Sequence, residues 1–427
     1  MGARIEVDST RAWVIAGAAA LTNGVAFGTV YTFGSFFKGM AESFDTGLGP
    51  TSIVFGITMF LFFGTGAVSG FLCDRIGPRP LVIAGGTLFC LGLLLTAQVS
   101  ALWQGYFTYG VGLGLGGGLF TAPLFATVAG WFEKHRALAQ GVTAAGNGIG
   151  TMLLVPLAKT WINSYGWRTA YRLLAVVCAV SFSIGAVLIV RSPVPPSFDG
   201  VARLKAASRS GSFRTMAAAG TLMSMALIPA FVFIIPFAEE NGFSSAKAAS
   251  IVMIVGGSSV LGRVALTRLS STFGSVQVAQ ACVIAQPVAY VIWLLGRQNY
   301  PALVLFAVLL GIAYGGHVAL LGEVTAVIYG VAGLGAVLGG VYFFAGLGSL
   351  IGPPTAGFLA DNTSQPIAIS SVLVISVIGS AIFMRLKPTP ITLDVSEGKF
   401  DDADLDFRIA VPQLRPGVVV PAIPSRV

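Results

Sequence analysis

Charge is what this 427-residue chain has least of. Asp, Glu, Lys and Arg together make up 10% of it, against about 25% in an ordinary soluble domain, which excludes a soluble globular fold. Histidine occurs twice and cysteine four times. Cys73, Cys90, Cys178 and Cys282 sit in or beside apolar stretches without metal-ligand spacing. They read as small buried hydrophobes rather than a zinc site or a disulfide framework. No nucleophile, metal set or acid–base constellation appears, so neither an enzyme nor a cofactor is expected. The opening MGARIEVDST lacks a cleavable-signal pattern, so the first apolar stretch is expected to remain in the protein. A soluble basic face is lacking as well, which argues against nucleic acid as the partner of the net charge of +8.

What is present is oil. Apolar residues make up 55% of the chain, in recurring stretches long enough to cross ~30 Å of hydrocarbon as helices. Twelve spans can be marked, at 12–37, 50–73, 80–99, 101–129, 137–160, 168–190, 214–238, 246–269, 276–296, 301–328, 332–360 and 365–385. A basic segment with Pro193, Pro195 and Pro196 separates the sixth from the seventh. The expected organisation is a six-helix half (1–190), a cytoplasmic linker (191–213), a second six-helix half (214–386) and an acidic tail (387–427) expected to be disordered. The fold class is therefore an all-α membrane protein of two pseudo-symmetric halves. The 55 glycines suit helices that approach closely.

Basic residues give orientation. With the N-terminus inside, 18 Lys and Arg fall on the cytoplasmic side and six fall outside: Lys38, Lys159, Arg168, Arg172, Lys247 and Arg297. Both termini are accordingly expected in the cytoplasm of a multi-pass protein of a cell inner membrane. The halves also echo each other. GFLCDRIGPRP, with Gly70, Asp74, Arg75, Gly77 and Arg79, follows the second span, and GRVALTRLSSTFG, with Gly262, Arg268 and Gly274, closes the eighth. Paired halves with a site midway between them describe a large class of secondary transporters.

The twenty-fifth basic residue, Arg263, lies inside the eighth span. An arginine at bilayer depth costs roughly 2.5 to 17 kcal/mol, so it is kept where it faces protein or a wet cavity and has an anion to hold. No acid lies elsewhere in that span, so the partner comes from another helix or from solution. Arg263 is the expected centre of a site for a small organic anion. Asn147, Ser259, Tyr31, Tyr314 and Tyr342 are polar groups in the spans that could hydrogen-bond a substrate or simply join helices. His317 reads either as a proton carrier or as a neutral buried histidine. Glu323 reads as a resident counter-ion of Arg263, a proton carrier, or a carboxylate in water at the end of the tenth span. Gly70, Asp74, Arg75 and Arg79, with Glu133 and Arg136 nearby, read as a cytoplasmic gate whose ion pairs form on closure, or as topological anchors. GLGLGG at Gly112–Gly117 matches a dinucleotide fingerprint but lies within a span, where close helix packing explains it.

Several strings resemble the monocarboxylate transporter family of the major facilitator superfamily. They are NGVAFGTVYTFGSFFK from Asn23, preceded by Asp8 and Trp13 of an entry motif, WFEKHRALAQGVTAAGNGIG from Trp131, SYGWRTAY from Ser164 and GPPTAGFLADNT from Gly352. The resemblance implies a twelve-helix carrier of monocarboxylates such as lactate or pyruvate, often moved with a proton, and puts the family's binding arginine on Arg263. Two departures accompany it. The acid that animal members carry one turn before that arginine is Ser259 here, and their lysine in the first span falls on Tyr31. Symport is therefore an expectation whose usual proton route is absent, leaving His317, Glu323 or the substrate itself. Exchange of organic anions (oxalate or formate) and export of an aromatic or drug-like compound are the alternatives. Chain length of the substrate, coupling ion, net direction and oligomeric state are not legible.

Overall fold

Buried backbone without a partner costs several kcal/mol in hydrocarbon, so a chain this apolar has to close its hydrogen bonds within helices. The computed structural model describes residues 7–193, 200–330 and 334–391, and among them the only regular structure is helical. The N-terminal part contains α1 (Thr10–Tyr31), α2 (Phe33–Ser43), α3 (Leu48–Ile76), α4 (Pro78–Thr96), α5 (Leu102–Gly105), a π-helical turn (Tyr106–Val111), α6 (Gly112–Trp131) and α7 (Arg136–Leu188). After α8 (Gly200–Ala207) come α9 (Gly211–Glu240), α10 (Ser245–Phe273), α11 (Ser275–Gly296), α12 (Tyr300–Tyr329), α13 (Leu334–Asn362) and α14 (Gln365–Phe383).

Eleven helical stretches among the described residues are long and apolar enough to cross a membrane. One of them is two. At Gly166 the backbone of α7 turns to φ 80° and ψ 160°, a conformation that glycine adopts without steric cost. The fifth and sixth spans thus meet across one residue, giving twelve crossings. The first span is interrupted at Thr32, and the fourth opens with α5 and continues through the π-helical turn. The expected linker contains a helix: α8 lies against α13, where Leu204 packs at Gly340. Residues 194–199 of that linker and 392–427 of the expected acidic tail lie outside the described residues.

Local chemistry sets the helix ends. Ser9, Ser210, Ser244 and Asn299 accept from the amides of Ala12, Phe213, Lys247 and Ala302, as side-chain N-caps do. Gly77 (φ 84°) ends α3 and Gly274 (φ 88°) ends α10, so the echoing motifs share a glycine turn.

Glycine then sets the packing. Gly24 and Gly28 of α1 lie against Gly146 and Gly150 of α7, and Gly85 and Gly92 of α4 against Gly116 and Gly112 of α6. The GLGLGG run is indeed a helix-packing face. Gly56 of α3 meets the Leu350 carbonyl of α13, and Gly148 of α7 meets Gly256 of α10. These last two crossings join the first six spans to the last six.

The two ends of the bundle differ. At one end Asp8 accepts the amides of Glu133, Lys134 and His135, at 3.2, 3.0 and 3.1 Å, and donates its own amide to Trp131 at 3.0 Å. Trp13 packs edge-on to Phe132 at 4.8 Å, so the two entry-motif residues pin the loop before α7. The amide of Lys134 foremost, with those of His135 and Glu133, holds the Asp8 carboxyl below its usual value. This contact stabilises the fold above the ordinary carboxylate range and is lost as pH falls through the lowered value. At the other end Asp361 of α13 accepts the first amides of α3, Leu48 and Gly49, both at 2.8 Å. That carboxylate caps a helix across the seam between the halves.

Close glycine contacts predict a sharp positional contrast. Gly150→Leu should clash with the α1 backbone and cost upwards of ~1–3 kcal/mol, read as a lower melting temperature and loss of monodisperse protein. Gly17→Leu, where a side chain meets nothing within 4 Å, should melt like the parent.

Candidate functional site

Arg263 is 2% exposed. The glycine contact between Gly148 and Gly256 draws α7 and α10 together, and one to two turns along, the guanidinium reaches across the seam. Its Nη1 donates to the Ala144 carbonyl oxygen of α7. Its carbon lies 5.7 Å from the centre of the Tyr314 ring, a distance at which the ring face attracts a cation. The Tyr314 hydroxyl is 3.2 Å from that of Tyr31, and Tyr31 stacks on Phe231 at 4.4 Å. Helices α1, α7, α9, α10 and α12 thus each contribute to one lining.

The enclosed space is bounded by Tyr31, Asn147, Gly148, Thr151, Phe231, Val255, Gly256, Ser259, Arg263 and Tyr314. It amounts to about 200 Å³, none of it wide enough for a water molecule. Five of the six expected binding residues therefore share one lining, in a contracted state. The sixth, Tyr342, lies on α13 and stacks on Phe63 of α3 at 5.8 Å. Polar atoms around the cation are left over. The Nε of Arg263 and Oδ1 of Asn147 are buried without a protein hydrogen-bond partner. Ser259 turns its hydroxyl back to the Gly256 carbonyl at 2.7 Å. Among the described residues no carboxylate pairs with Arg263; Lys38–Glu42 at 3.8 Å and Lys159–Glu239 at 2.7 Å are ion pairs away from it.

Glu323 is exposed and accepts from Ser270 at 3.1 Å, about two helical turns from Arg263 on α10. It does not occupy the counter-ion position. His317 turns toward α14, its ring edge-on to Phe383 at 5.4 Å, with Nδ1 buried and unpartnered by protein. It is not in the Arg263 lining. Of the gate residues, Arg75, Arg79, Glu133 and Arg136 are exposed, and Arg136 bonds the Phe132 carbonyl at 3.0 Å. Arg79 and Glu133 form no ion pair with each other. A side chain at Gly70 would meet nothing within 4 Å, and the Asp74 side chain lies outside the described residues.

The structure adds residues that the sequence pattern did not single out. Lys159 of α7 and Glu239 of α9 form an ion pair across the seam, with side chains only 9% and 11% exposed. Phe231 forms the wall beneath Tyr31. Asp361 closes the same end as Lys159. The Glu239–Glu240 doublet at the end of the seventh span was the available signal, but nothing in the sequence says which of the two turns inward.

A twelve-span helical bundle with a polar site on the seam between its first and last six spans is the architecture of a membrane carrier. A family model described as Major Facilitator Superfamily matches residues 19–295 and 218–420, and the chain belongs to that superfamily. Monocarboxylate transporters are among its similar sequences. Human monocarboxylate transporter 11 is 29% identical over 400 residues, covering 89% of this chain and 83% of the relative. Mouse monocarboxylate transporter 3 is 30% identical over 369 residues, covering 83% and 75%. Among solved structures, a bacterial homologue of the human lysosomal transporter Spinster, inward-facing and unoccupied, superposes with a TM-score of 0.73 over 90% of this chain and 98% of its own, at 14% identity. The protein is thus a transporter related to the monocarboxylate transporters, not an enzyme.

The buried pair at the seam yields a stability prediction. Glu239→Ala leaves Lys159 charged and unpaired and should cost about 3–5 kcal/mol. Replacing both residues by methionine should restore most of the loss. Melting temperatures of the purified single and double variants check both statements.

Proposed function

We propose that this protein carries small monocarboxylates, of the lactate and pyruvate kind, by alternating access of a single site centred on Arg263. The observation that carries this reading is a buried guanidinium with no carboxylate beside it. A cation in that position is stabilised by an anion from solution. An incoming carboxylate can take the unpartnered Nε together with the Nη1 now given to Ala144, a forked pair that a guanidinium is shaped to make. The single positive charge suits a monoanion. The names of the similar proteins point to the same substrate class.

Alternating access draws support from the uneven seam. Bonds that join the halves include Asp361 to α3, Lys159 to Glu239, Tyr31 to Tyr314 and Arg263 to Ala144. These four lie at mid-depth or toward the Asp361 end. The excess of basic residues assigns the Asp8 end to the cytoplasm and the Asp361 end to the outside. On that orientation this is a state closed to the outside, and the loop with Gly70, Asp74, Arg75 and Arg79 stands at the cytoplasmic end as the proposed gate. Substrate and proton enter together in the reading we favour. With Ser259 in place of the usual acid, the proton travels on His317, on Glu323 or on the substrate. One observation favours a second reading: Tyr31, Phe231 and Tyr314 form an aromatic wall, which suits an aromatic acid as cargo.

Uptake of labelled lactate, pyruvate, acetate and oxalate into proteoliposomes, with and without an inward proton gradient, tests the proposal. Lactate or pyruvate should enter faster with the gradient. Arg263→Ala should reduce uptake to background, and Arg263→Lys, which loses the fork, should reduce it more than about tenfold. Normal uptake in correctly inserted Arg263→Ala would overturn the reading. Counterflow that ignores pH would point to anion exchange instead.

A further inference from the structure

Arg263 accounts for a carboxylate, but lactate and pyruvate also carry an oxygen on the neighbouring carbon. We infer that Asn23 of α1 holds that oxygen, making it a specificity residue of the same site. Asn23 is 0% exposed, and neither its Oδ1 nor its Nδ2 finds a partner in the protein. A carboxamide buried in this way is costly. Asn23 differs in this from the other polar residues of α1. Thr22 bonds the Ala18 carbonyl at 2.8 Å, and Thr29 lies 3.3 Å from the sulfur of Cys178.

Its neighbours fix where the side chain faces. Thr22 lies against Gly185 in the second span of α7, and Gly24 lies against Gly146 in the first. The residue between them shares neither contact, and at 0% exposure it lies inside the protein. Phe27 and Tyr31 follow on the same helix face at one and two turns; Phe27 packs edge-on to Phe62 at 4.8 Å, and Tyr31 lines the Arg263 space. The contact of Gly24 with Gly146 also sets depth. It brings Asn23 level with Asn147, the next residue of α7, and Ala144, the acceptor of Arg263, is less than a turn away. Three buried polar groups without full protein partners, Asn23, Asn147 and Arg263, therefore share one level of the bundle. Asn23 is not part of the contracted lining; in this inference it joins the site as the site widens around a substrate. Its amide can donate to a 2-oxo oxygen, and its two ends can donate to and accept from a 2-hydroxyl.

This inference rests on the monocarboxylate reading. The test is initial uptake of labelled pyruvate, lactate and propionate by proteoliposomes of the parent, Asn23→Leu and Asn23→Ser. Propionate keeps the carboxylate and lacks the second oxygen. Asn23→Leu should lower the ratio of kcat/KM for pyruvate over propionate by about tenfold, mainly through KM for pyruvate, with propionate uptake kept. Asn23→Ser, whose short hydroxyl returns to its own helix, should lower the same ratio even where the leucine variant fails to insert. An unchanged ratio, or equal loss of both substrates in inserted protein, would overturn the assignment and leave Asn23 a packing residue. A parent protein that transports none of the three acids would defeat the monocarboxylate reading itself, and this inference with it.

Discussion

A guanidinium held at 2% exposure with no carboxylate partner is the constraint on which the rest of this structure depends. A cation at that depth is expensive, and the protein offsets only part of the expense, through the Ala144 carbonyl and the face of the Tyr314 ring. Both contacts come from helices other than α10. The glycine crossing between α7 and α10, the packing of Gly315 on Ser259 and the inward turn of Tyr31 all serve to bring those partners within reach. A fixed acid would stabilise the cation permanently and leave nothing for a substrate to add. In the proposed function, leaving the pair incomplete makes binding favourable for a ligand that completes it.

The same incompleteness suits a carrier that has to return empty. The lining closes on itself until no water molecule fits, and it does so with contacts that a substrate can replace: a hydroxyl pair, a backbone carbonyl, an aromatic face. The bonds that seal the Asp361 end are of another kind. Asp361 takes two amides at the start of α3, and Lys159 and Glu239 meet at 2.7 Å in a nearly dry setting. In the proposed cycle these have to break for the site to reach the other side, and they help to hold the state described here. Asp8 and Trp13 hold the opposite end of the first six spans without crossing the seam, so they restrain a loop rather than the cycle.

Much of this was legible from the residue pattern, because a bilayer leaves few options. Apolar stretches of membrane length gave the twelve crossings, and the rarity of intramembrane charge isolated Arg263. The lining of Tyr31, Asn147, Ser259 and Tyr314 followed because polar residues are conspicuous in oil. Joints were harder to read. The link between the fifth and sixth spans is a single glycine, and the break at Thr32 has no sequence marker. Direction around a helix was hardest. Glu323 reads from the pattern as a counter-ion inside the bundle or as a carboxylate in water at a span end, and it is exposed and bonds Ser270. Glu239 also stands at a span end, yet it is inside. A residue's depth follows from counting along the chain, but its facing depends on which neighbour the helix packs against.

The account stands on a charge-to-charge contact, and charge can be removed from a ligand while its shape is kept. Binding of lactate and of lactamide to the purified transporter, measured by calorimetry at one pH, compares the two directly. Lactate should bind and lactamide should show no heat at a hundredfold higher concentration, because only the carboxylate can complete the partnership of Arg263. Equal affinities would mean that the buried arginine is structural and that the site recognises something other than an anion.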